Sequence, residues 1–442
     1  MQCFFKLLFF ALIFLNYSFI KAQFIMDMNN DSTKAVGKGI YAVYKKFENL
    51  KFSGYIQPQY QYTLEKGAKS FIGGDFPSNS NNRFMLRRGR LRIDYSRFDK
   101  KGMPSLYFVF QFDGTERGVF IRDFFGRVFE NRWNMFALTT GMFPRPFGYD
   151  LNLSSSDRES PERGRMSQIL MKTERDLGAM VSFEPRNSKN SLRFLKADIG
   201  LFNGQGLAAD RDFDSHKDLI ARIYAKSTPL FDTTVWVSGG LSILQGGLES
   251  ATKFWYTTQK QANDFLFLVD STDTNLGAIA PRHYRGADLQ IKIPNGKHKG
   301  NTEFRFEYIG GIQTATASAS DTPPTVPTTN NIAQPLYVRY FNGIYAYFLQ
   351  NLGSTKHQIG MKYDFYDPNT RAKGTEIGLL ATNFNATDIR YDTFGVGYLW
   401  YMNENFRLML WYDRVKNEKT QLNNYTSDIK DDVLTCRVQY RF

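Results

Sequence analysis

The stretch DDVLTCRVQYRF, residues 431–442, turns Leu434, Cys436, Val438, Tyr440 and Phe442 to one face of an extended strand and Thr435, Arg437, Gln439 and Arg441 to the other. Successive side chains of a strand point to opposite faces. This strand therefore needs an apolar medium on one side and water on the other. The same two-faced pattern recurs upstream. In LYFVFQFD (106–113), Leu106, Phe108, Phe110 and Phe112 oppose Tyr107, Gln111 and Asp113. In NTEFRFEY (301–308), Phe304, Phe306 and Tyr308 oppose Glu303, Arg305 and Glu307, and in HQIGMKYDFY (357–366), Ile359, Met361, Tyr363 and Phe365 oppose Gln358, Lys362, Asp364 and Tyr366. Three charges on one face of one strand require water there, which a solvated sheet of a soluble protein would also supply.

The links decide between those settings. Segments of about ten residues, the length a tilted membrane strand needs, fall near 51–64, 83–97, 104–113, 118–128, 134–143, 176–184, 191–202, 217–226, 233–244, 283–294, 300–311, 336–349, 355–367, 391–402, 405–416 and 431–442. Every link from an even to an odd segment is short, whereas most odd-to-even links are long: 65–82, 144–175, 245–282, 312–335, 368–390 and 417–430; DGTERG after the third segment is the exception. Outer-membrane barrels pair short periplasmic turns with long extracellular loops in this way. The expected fold is all-β, a transmembrane antiparallel β-barrel of about 16 strands with both ends of the chain on the periplasmic side. The alternating last strand closing on an aromatic residue resembles the assembly signal of such barrels, so Tyr440 and Phe442 are expected to be read by the barrel-assembly machinery.

Composition agrees. The 40 Phe and 25 Tyr are many for 442 residues, yet the mean hydropathy of −0.41 is that of a soluble protein. A barrel yields that average because each strand shows lipid one side chain and a watery lumen the next. At the start, Lys6 precedes an apolar run from Leu7 to Ile20 that ends near Ala22, the layout of a secretory signal peptide. We therefore expect residues 1–22 to be a signal peptide, 23–50 an N-terminal periplasmic segment containing a short amphipathic helix, and 51–442 the barrel, in the outer membrane of a Gram-negative bacterium. No later stretch reaches the length and apolarity of a spanning helix. Without the leader only Cys436 remains, so the exported chain forms no internal disulfide. Stability must come from closed strand pairing.

The formal charge is +13, and +11 once Lys6 and Lys21 leave with the leader. A basic balance implies an anionic partner; export removes nucleic acid from the candidates and leaves outer-membrane lipids and small anionic solutes. The densest basic segment, RFMLRRGRLRIDYSR (83–97), sends Arg88, Arg90, Arg92 and Asp94 one way and Gly89, Leu91, Ile93 and Tyr95 the other. Arginine stays charged and offers a fork of donors that fits phosphate or carboxylate oxygens, and rings of basic side chains build anion pores. These arginines are expected to line the lumen, or else to pair with carboxylates across it. Arg87, on the other parity near the outer rim, is expected to meet lipid phosphate. The link 144–175 sits where sixteen-stranded porins fold a loop inward. It carries Arg145, Arg158, Arg163, Arg165, Lys172 and Arg175 against Asp150, Asp157, Glu159, Glu162 and Glu174, and is either a constriction or an exposed, salt-bridged loop. The anion-binding candidates are Arg88, Arg90, Arg92, Arg145, Arg163 and Arg165.

No enzyme is expected. His216, His283, His298 and His357 stand at no metal-binding or catalytic spacing, GGLSILQGG lacks the Lys of a phosphate-cradling loop, and no cofactor is implied. The expected function is passive diffusion of small solutes with a bias toward anions. A general pore, a non-conducting adhesion barrel and a barrel enzyme are the rival readings.

FMLRRGRLRIDY (84–95), GMFPRPFGYDLNLSSSD (141–157), PERGRM (161–166), ERDLGAMVSF (174–183), GLFNGQG (200–206), KYDFYDPN (362–369) and the terminal RVQYRF together resemble the phosphate-selective porins O and P and their Bacteroidetes relatives. The resemblance runs in order over most of the chain after the leader. It implies a sixteen-stranded homotrimeric porin whose arginines lead anions, phosphate among them, through the barrel. Arg87, Arg88 and Arg90 match the family's basic strand motif and Arg163 the basic residue of its Glu-Arg pair. Pro144 and Arg145 stand where family members often carry a lysine.

Overall fold

The computed structural model describes residues 49–208, 212–230, 234–262, 264–296 and 298–442. The expected signal peptide and nearly all of the expected periplasmic segment, with its helix, lie outside them. In chain order the strands are β1 (Leu50–Thr63), β2 (Asn82–Phe98), β3 (Pro104–Thr115), β4 (Gly118–Phe129), β5 (Phe136–Pro144), β6 (Arg175–Phe183), β7 (Leu195–Phe202), β8 (Asp218–Leu230), β9 (Val235–Glu249), β10 (Trp255–Gln261), β11 (Asp264–Asp270), β12 (Ile279–Pro294), β13 (Asn301–Ala315), β14 (Thr328–Thr329), β15 (Ile332–Ala333), β16 (Leu336–Asn351), β17 (His357–Asp367), β18 (Tyr391–Tyr401), β19 (Phe406–Asn417) and β20 (Val433–Arg441). One short helix, α1 (Arg165–Leu170), lies between β5 and β6.

Sixteen of these strands, all but β10, β11, β14 and β15, pair antiparallel with their neighbours around a closed circuit, as the sequence leads one to expect. The circuit closes where β1 meets β20, in register from Tyr55 opposite Arg441 to Thr63 opposite Val433. Closure is forced by the solvent: lipid offers nothing to an unpaired backbone N–H or C=O, and each one left open costs several kcal/mol. Phe442 exchanges backbone bonds with Gly54, N–H to O at 3.0 Å one way and 3.2 Å the other.

Boundaries shift where local chemistry intervenes. β5 starts two residues later than expected because Asn134 adopts a left-handed φ of 57°. β7 starts at Leu195 because residues 190–195 form turns, with the N–H of Leu195 on Leu192 O at 2.9 Å. β9 and β12 run higher than expected, pairing up to Glu249 opposite Ile279. The long link above them is not featureless: β10 and β11 form a hairpin whose first strand lies parallel to β16, Trp255 opposite Leu336.

The outward face is apolar as the alternation requires, with Phe84, Leu91, Phe124, Leu138, Val181, Ile199, Leu241, Leu289, Phe304, Met361, Phe394 and Leu410 all exposed. The inward face is less uniformly wet than expected. From β9 to β19 it carries Leu244, Tyr284, Ile309, Phe341, Tyr345, Tyr366 and Trp411, packed in one cluster with Phe147, Leu151, Met166, Ile169, Leu170 and Met171 of the segment after β5. Burying a large apolar side chain is worth roughly 1.5–3 kcal/mol, so these contacts hold that segment to one wall. Trp411, fully buried, fits because Gly360, Gly395 and Gly397 leave it room; a Cβ on Gly397 would come within 2.1 Å of its ring.

Candidate permeation pathway

Residues 145–174 fold into the barrel. Ordering backbone costs about 1–2 kcal/mol per residue, so a segment this long stays inside only if it is held along its length, and it is. The N–H of Gly148 donates to Ser242 Oγ on β9 at 3.0 Å, and those of Tyr149 and Asp150 donate to the Glu307 carboxylate on β13 at 3.1 and 2.9 Å. Gly148 is required there: its φ is +64°, and a Cβ would sit 2.1 Å from Glu307 Oε1. Gln57 on β1 and Gln439 on β20 donate to the carbonyls of Ser155 and Ser156 at 2.9 and 3.1 Å. Arg305 grips Glu159 with two bonds of 2.7 and 2.9 Å, Ser160 bonds Tyr347 on β16, and the N–H of Arg165 meets Asp364 on β17 at 3.0 Å.

Two carboxylates of this segment organise the arginines. Glu162 binds Arg87 at 2.7 Å, Arg88 at 2.8 Å and Arg437 at 3.0 Å. Glu174 binds Arg122, Arg163 at 2.8 Å and Arg175 at 2.9 Å. Burial works to raise both carboxyls, but the three guanidiniums around each outweigh it and hold them well below the usual glutamate range. Both are anionic at neutral pH.

Open space remains beside the segment. Toward the long loops lies a vestibule of about 780 Å³ whose lining includes Arg87, Arg88, Arg122, Arg163, Arg165 and Lys172 against Asp75, Asp113, Glu162, Glu174 and Asp321. Along the wall from β2 to β8 lies a chamber of about 440 Å³ lined by Arg90, Arg92, Arg127, Arg163, Arg175, Lys196 and Arg222 against only Asp123 and Asp198. A third cavity, of about 490 Å³, shares Asn152, Leu153, Ser154, Arg222 and Tyr224 with that chamber. Vestibule and chamber have one lining residue in common, Arg163. Its guanidinium is held by Glu174 and by the carbonyls of Asp150 and Leu151, both at 2.9 Å. Around Arg163 lies a charge cluster in which Arg90, Arg122, Arg163 and Arg175 pair with Asp113, Asp123 and Glu174.

The sequence candidates divide accordingly. Arg88 and Arg90 are buried on the inward face, Arg90 paired with Asp113 at 3.2 Å. Arg92 borders the chamber, bonded to Asp94 and to Tyr107 Oη at 2.8 Å. Arg163 sits between the two spaces. Arg165 opens α1 and stacks over Tyr391, its guanidinium 3.6 Å from the ring centre. Arg145 lines neither space; it is buried beside Asp176 at 3.9 Å and donates to the carbonyls of Thr173 and Gly204. Tyr440 and Phe442 face outward and are exposed.

Arg87 does not point to lipid. Arg83 and Met85 both bond inward-facing glutamines of β1, so the lumen-facing series runs 83, 85, 87 and then 88, 90, 92. The alternation skips at Arg87–Arg88 and puts two neighbouring arginines on Glu162. A second skip explains a residue the sequence does not reveal. β3 and β4 slip register so that Gln111 opposes Asp123 while Phe112 opposes Ile121, and the extra residue, Arg122, is turned inward to Asp113 and Glu174. A β-bulge re-aims a side chain in this manner. Arg127, Lys196 and Arg222 keep regular inward parity and were legible in principle.

A closed sixteen-stranded antiparallel barrel, narrowed by an inward segment after its fifth strand, is the architecture of an outer-membrane porin. The family model that matches is described as phosphate-selective porin O and P, over residues 337–442, from β16 to the last residue. This is the family the sequence resembles; the motifs at 84–95 and 141–157 lie outside the matched stretch. Among solved structures, the outer membrane channel DcaP of Acinetobacter baumannii shares the fold at 10% identity, covering 89% of this chain and 97% of that one with a TM-score of 0.51. OmpT of Vibrio cholerae in a trimer form aligns at 10% identity, 89% and 99% coverage and a TM-score of 0.45. A mutant Rh. blastica porin aligns at 9% identity, 89% and 100% coverage and 0.45. No curated protein matches the chain. The family model that matches is one of porins, and the fold is shared with an outer membrane channel.

Proposed function

We propose that this porin-like barrel passes small solutes by passive diffusion through its lumen and favours anions, phosphate among the solutes its basic lining suits. The observation that carries the reading is the lining of the chamber between β2 and β8, seven basic side chains and two acidic ones, with the carboxylates that pair Arg90, Arg92, Arg163 and Arg222 (Asp113, Asp94, Glu174 and Asp288) standing outside that lining. Basic groups that border the lumen while their carboxylate partners stand farther back leave the near field positive, and a low-dielectric wall focuses that field and raises the local concentration of anions. The six basic and five acidic groups of the vestibule nearly cancel, so selection belongs to the inner chamber rather than the mouth. Export by the signal peptide 1–22, a periplasmic segment 23–50, assembly through Tyr440 and Phe442, and a homotrimer in the outer membrane belong to the same proposal; they rest on the sequence patterns and the resemblance.

The test is the reversal potential of the purified chain in a planar bilayer under a potassium chloride gradient. The reading expects the sign set by chloride. A sign set by potassium, or no potential, rejects the anion preference.

A further inference from the structure

The outward face of the wall changes character high on β9, β12 and β13. Nearer the short turn between β12 and β13, the outward residues are apolar: Leu289 and, across from it, Phe304 and Phe306, all exposed. Higher up, Tyr284 is fully buried in the lumen, so its neighbours His283 and Arg285 must face the membrane. His283 stands between Gln245 and Ile312, and Arg285 between Ile243 and Gly310. Gln245, His283, Arg285 and Tyr308 ring a depression of about 430 Å³ with Gly310 and Gly311 at its floor. No side chain fills it from below. A Cβ on Gly310 would meet Tyr308 Oη at 2.6 Å, and one on Gly311 would meet the His283 carbonyl at 1.9 Å.

Among the described residues, no partner satisfies Arg285 or Nδ1 of His283. Arg285 is exposed and has no hydrogen bond or ion pair among the described residues, and Nδ1 of His283 is buried without a partner. Their height matters. An apolar band about 25 Å tall, crossed by strands that rise about 3.3 Å per residue at a tilt of about 40°, uses roughly ten residues. Counted up from Ile293, the band ends at His283 and Arg285, where lipid headgroups begin.

We propose that this depression binds a phosphate of a phosphorylated glycolipid in the outer leaflet. The Arg285 fork takes two phosphate oxygens, Gln245 and Tyr308 donate from the rim, and Ile243 and Ile312 meet the first methylenes of the acyl chains. A second copy of the chain fits less well, because it must bring a free carboxylate. Two acids beside lipid-facing tyrosines are already engaged: Asp392 by Arg390 and Tyr363, Asp432 by Tyr412.

The proposal rests on the outer-membrane placement but not on conduction, and its test separates the two. The full chain in detergent is titrated with bis-phosphorylated lipid A, with dephosphorylated lipid A and with inorganic phosphate, and bound lipid is counted by native mass spectrometry. Wild type is expected to prefer the phosphorylated lipid by about tenfold. R285Q should lose that preference, and G310L, which fills the depression, should lose binding, while both keep wild-type conductance because the site faces away from the lumen. Equal lipid A binding by all three proteins overturns the proposal. So does inorganic phosphate held by wild type but not R285Q with no lipid preference, which makes this a free-anion site, or a fall in copy number in R285Q with lipid binding intact, which makes it a subunit contact.

Discussion

Replacing Glu162 by alanine is expected to destabilise the barrel by about 3–5 kcal/mol, the cost of removing one partner from a buried ion pair, and to free the inward segment. The side chain is almost wholly enclosed and is shared by Arg87, Arg88 and Arg437. Without it, Arg88 and Arg437 are left as buried charges facing one another, and the segment loses its Glu162 ion pairs to β2 and β20, keeping on β20 such bonds as Gln439 to the Ser156 carbonyl and Arg437 to that of Pro161. The thermal midpoint of the folded barrel should fall steeply, and single-channel currents should turn noisy as residues 150–165 move. Removing Arg437 as well, as Glu162→Ala with Arg437→Leu, should recover part of the loss, because a pair removed together leaves less uncompensated charge. If Glu162→Ala keeps wild-type stability and quiet currents, Glu162 does not anchor the segment.

The second large effect concerns selection. Replacing Arg92, Arg127 and Lys196 together by glutamine removes three positive charges from the inner chamber, leaving four basic groups against the two acids. Arg127 is the cleanest of the three, since it donates to Thr139 Oγ1 at 2.8 Å rather than to a carboxylate. One unit charge about 6 Å from a permeating ion contributes about 0.7 kcal/mol in water, a factor of about three. Three such charges, screened over a Debye length of about 10 Å at 0.1 M salt, should lower the anion-to-cation permeability ratio by about tenfold. The difference should shrink toward nothing near 1 M salt, where screening acts within about 3 Å. A ratio unchanged at low salt would mean that these groups only brace the barrel.

Much of this architecture can be read from the chain because a membrane barrel repeats one constraint. Every strand must alternate, so sixteen segments such as NTEFRFEY and HQIGMKYDFY can be found and their inward charges named. Three features escape that logic. Arg87 and Arg122 are brought inward where the alternation skips, and parity alone assigns both to lipid. β16, LYVRYFNGIYAYFLQN, is apolar on both faces, so its sequence does not reveal that Phe341, Tyr345 and Tyr347 turn inward to receive the segment after β5. That segment carries charges of both signs, which suits an exposed loop and a constriction equally. Its inward course is decided by partners far away in sequence: Glu307, Arg305, Tyr347 and Arg437. Arg145 errs in the other direction, a basic residue in the right segment whose guanidinium is spent on Asp176 and two carbonyls.

Single-channel recording of the purified chain in a planar bilayer decides whether ions cross the lumen past Arg163. Wild type should give steady current steps, and removal of residues 150–165 should make them larger. A barrel that inserts and stays silent in both forms would contradict such passage.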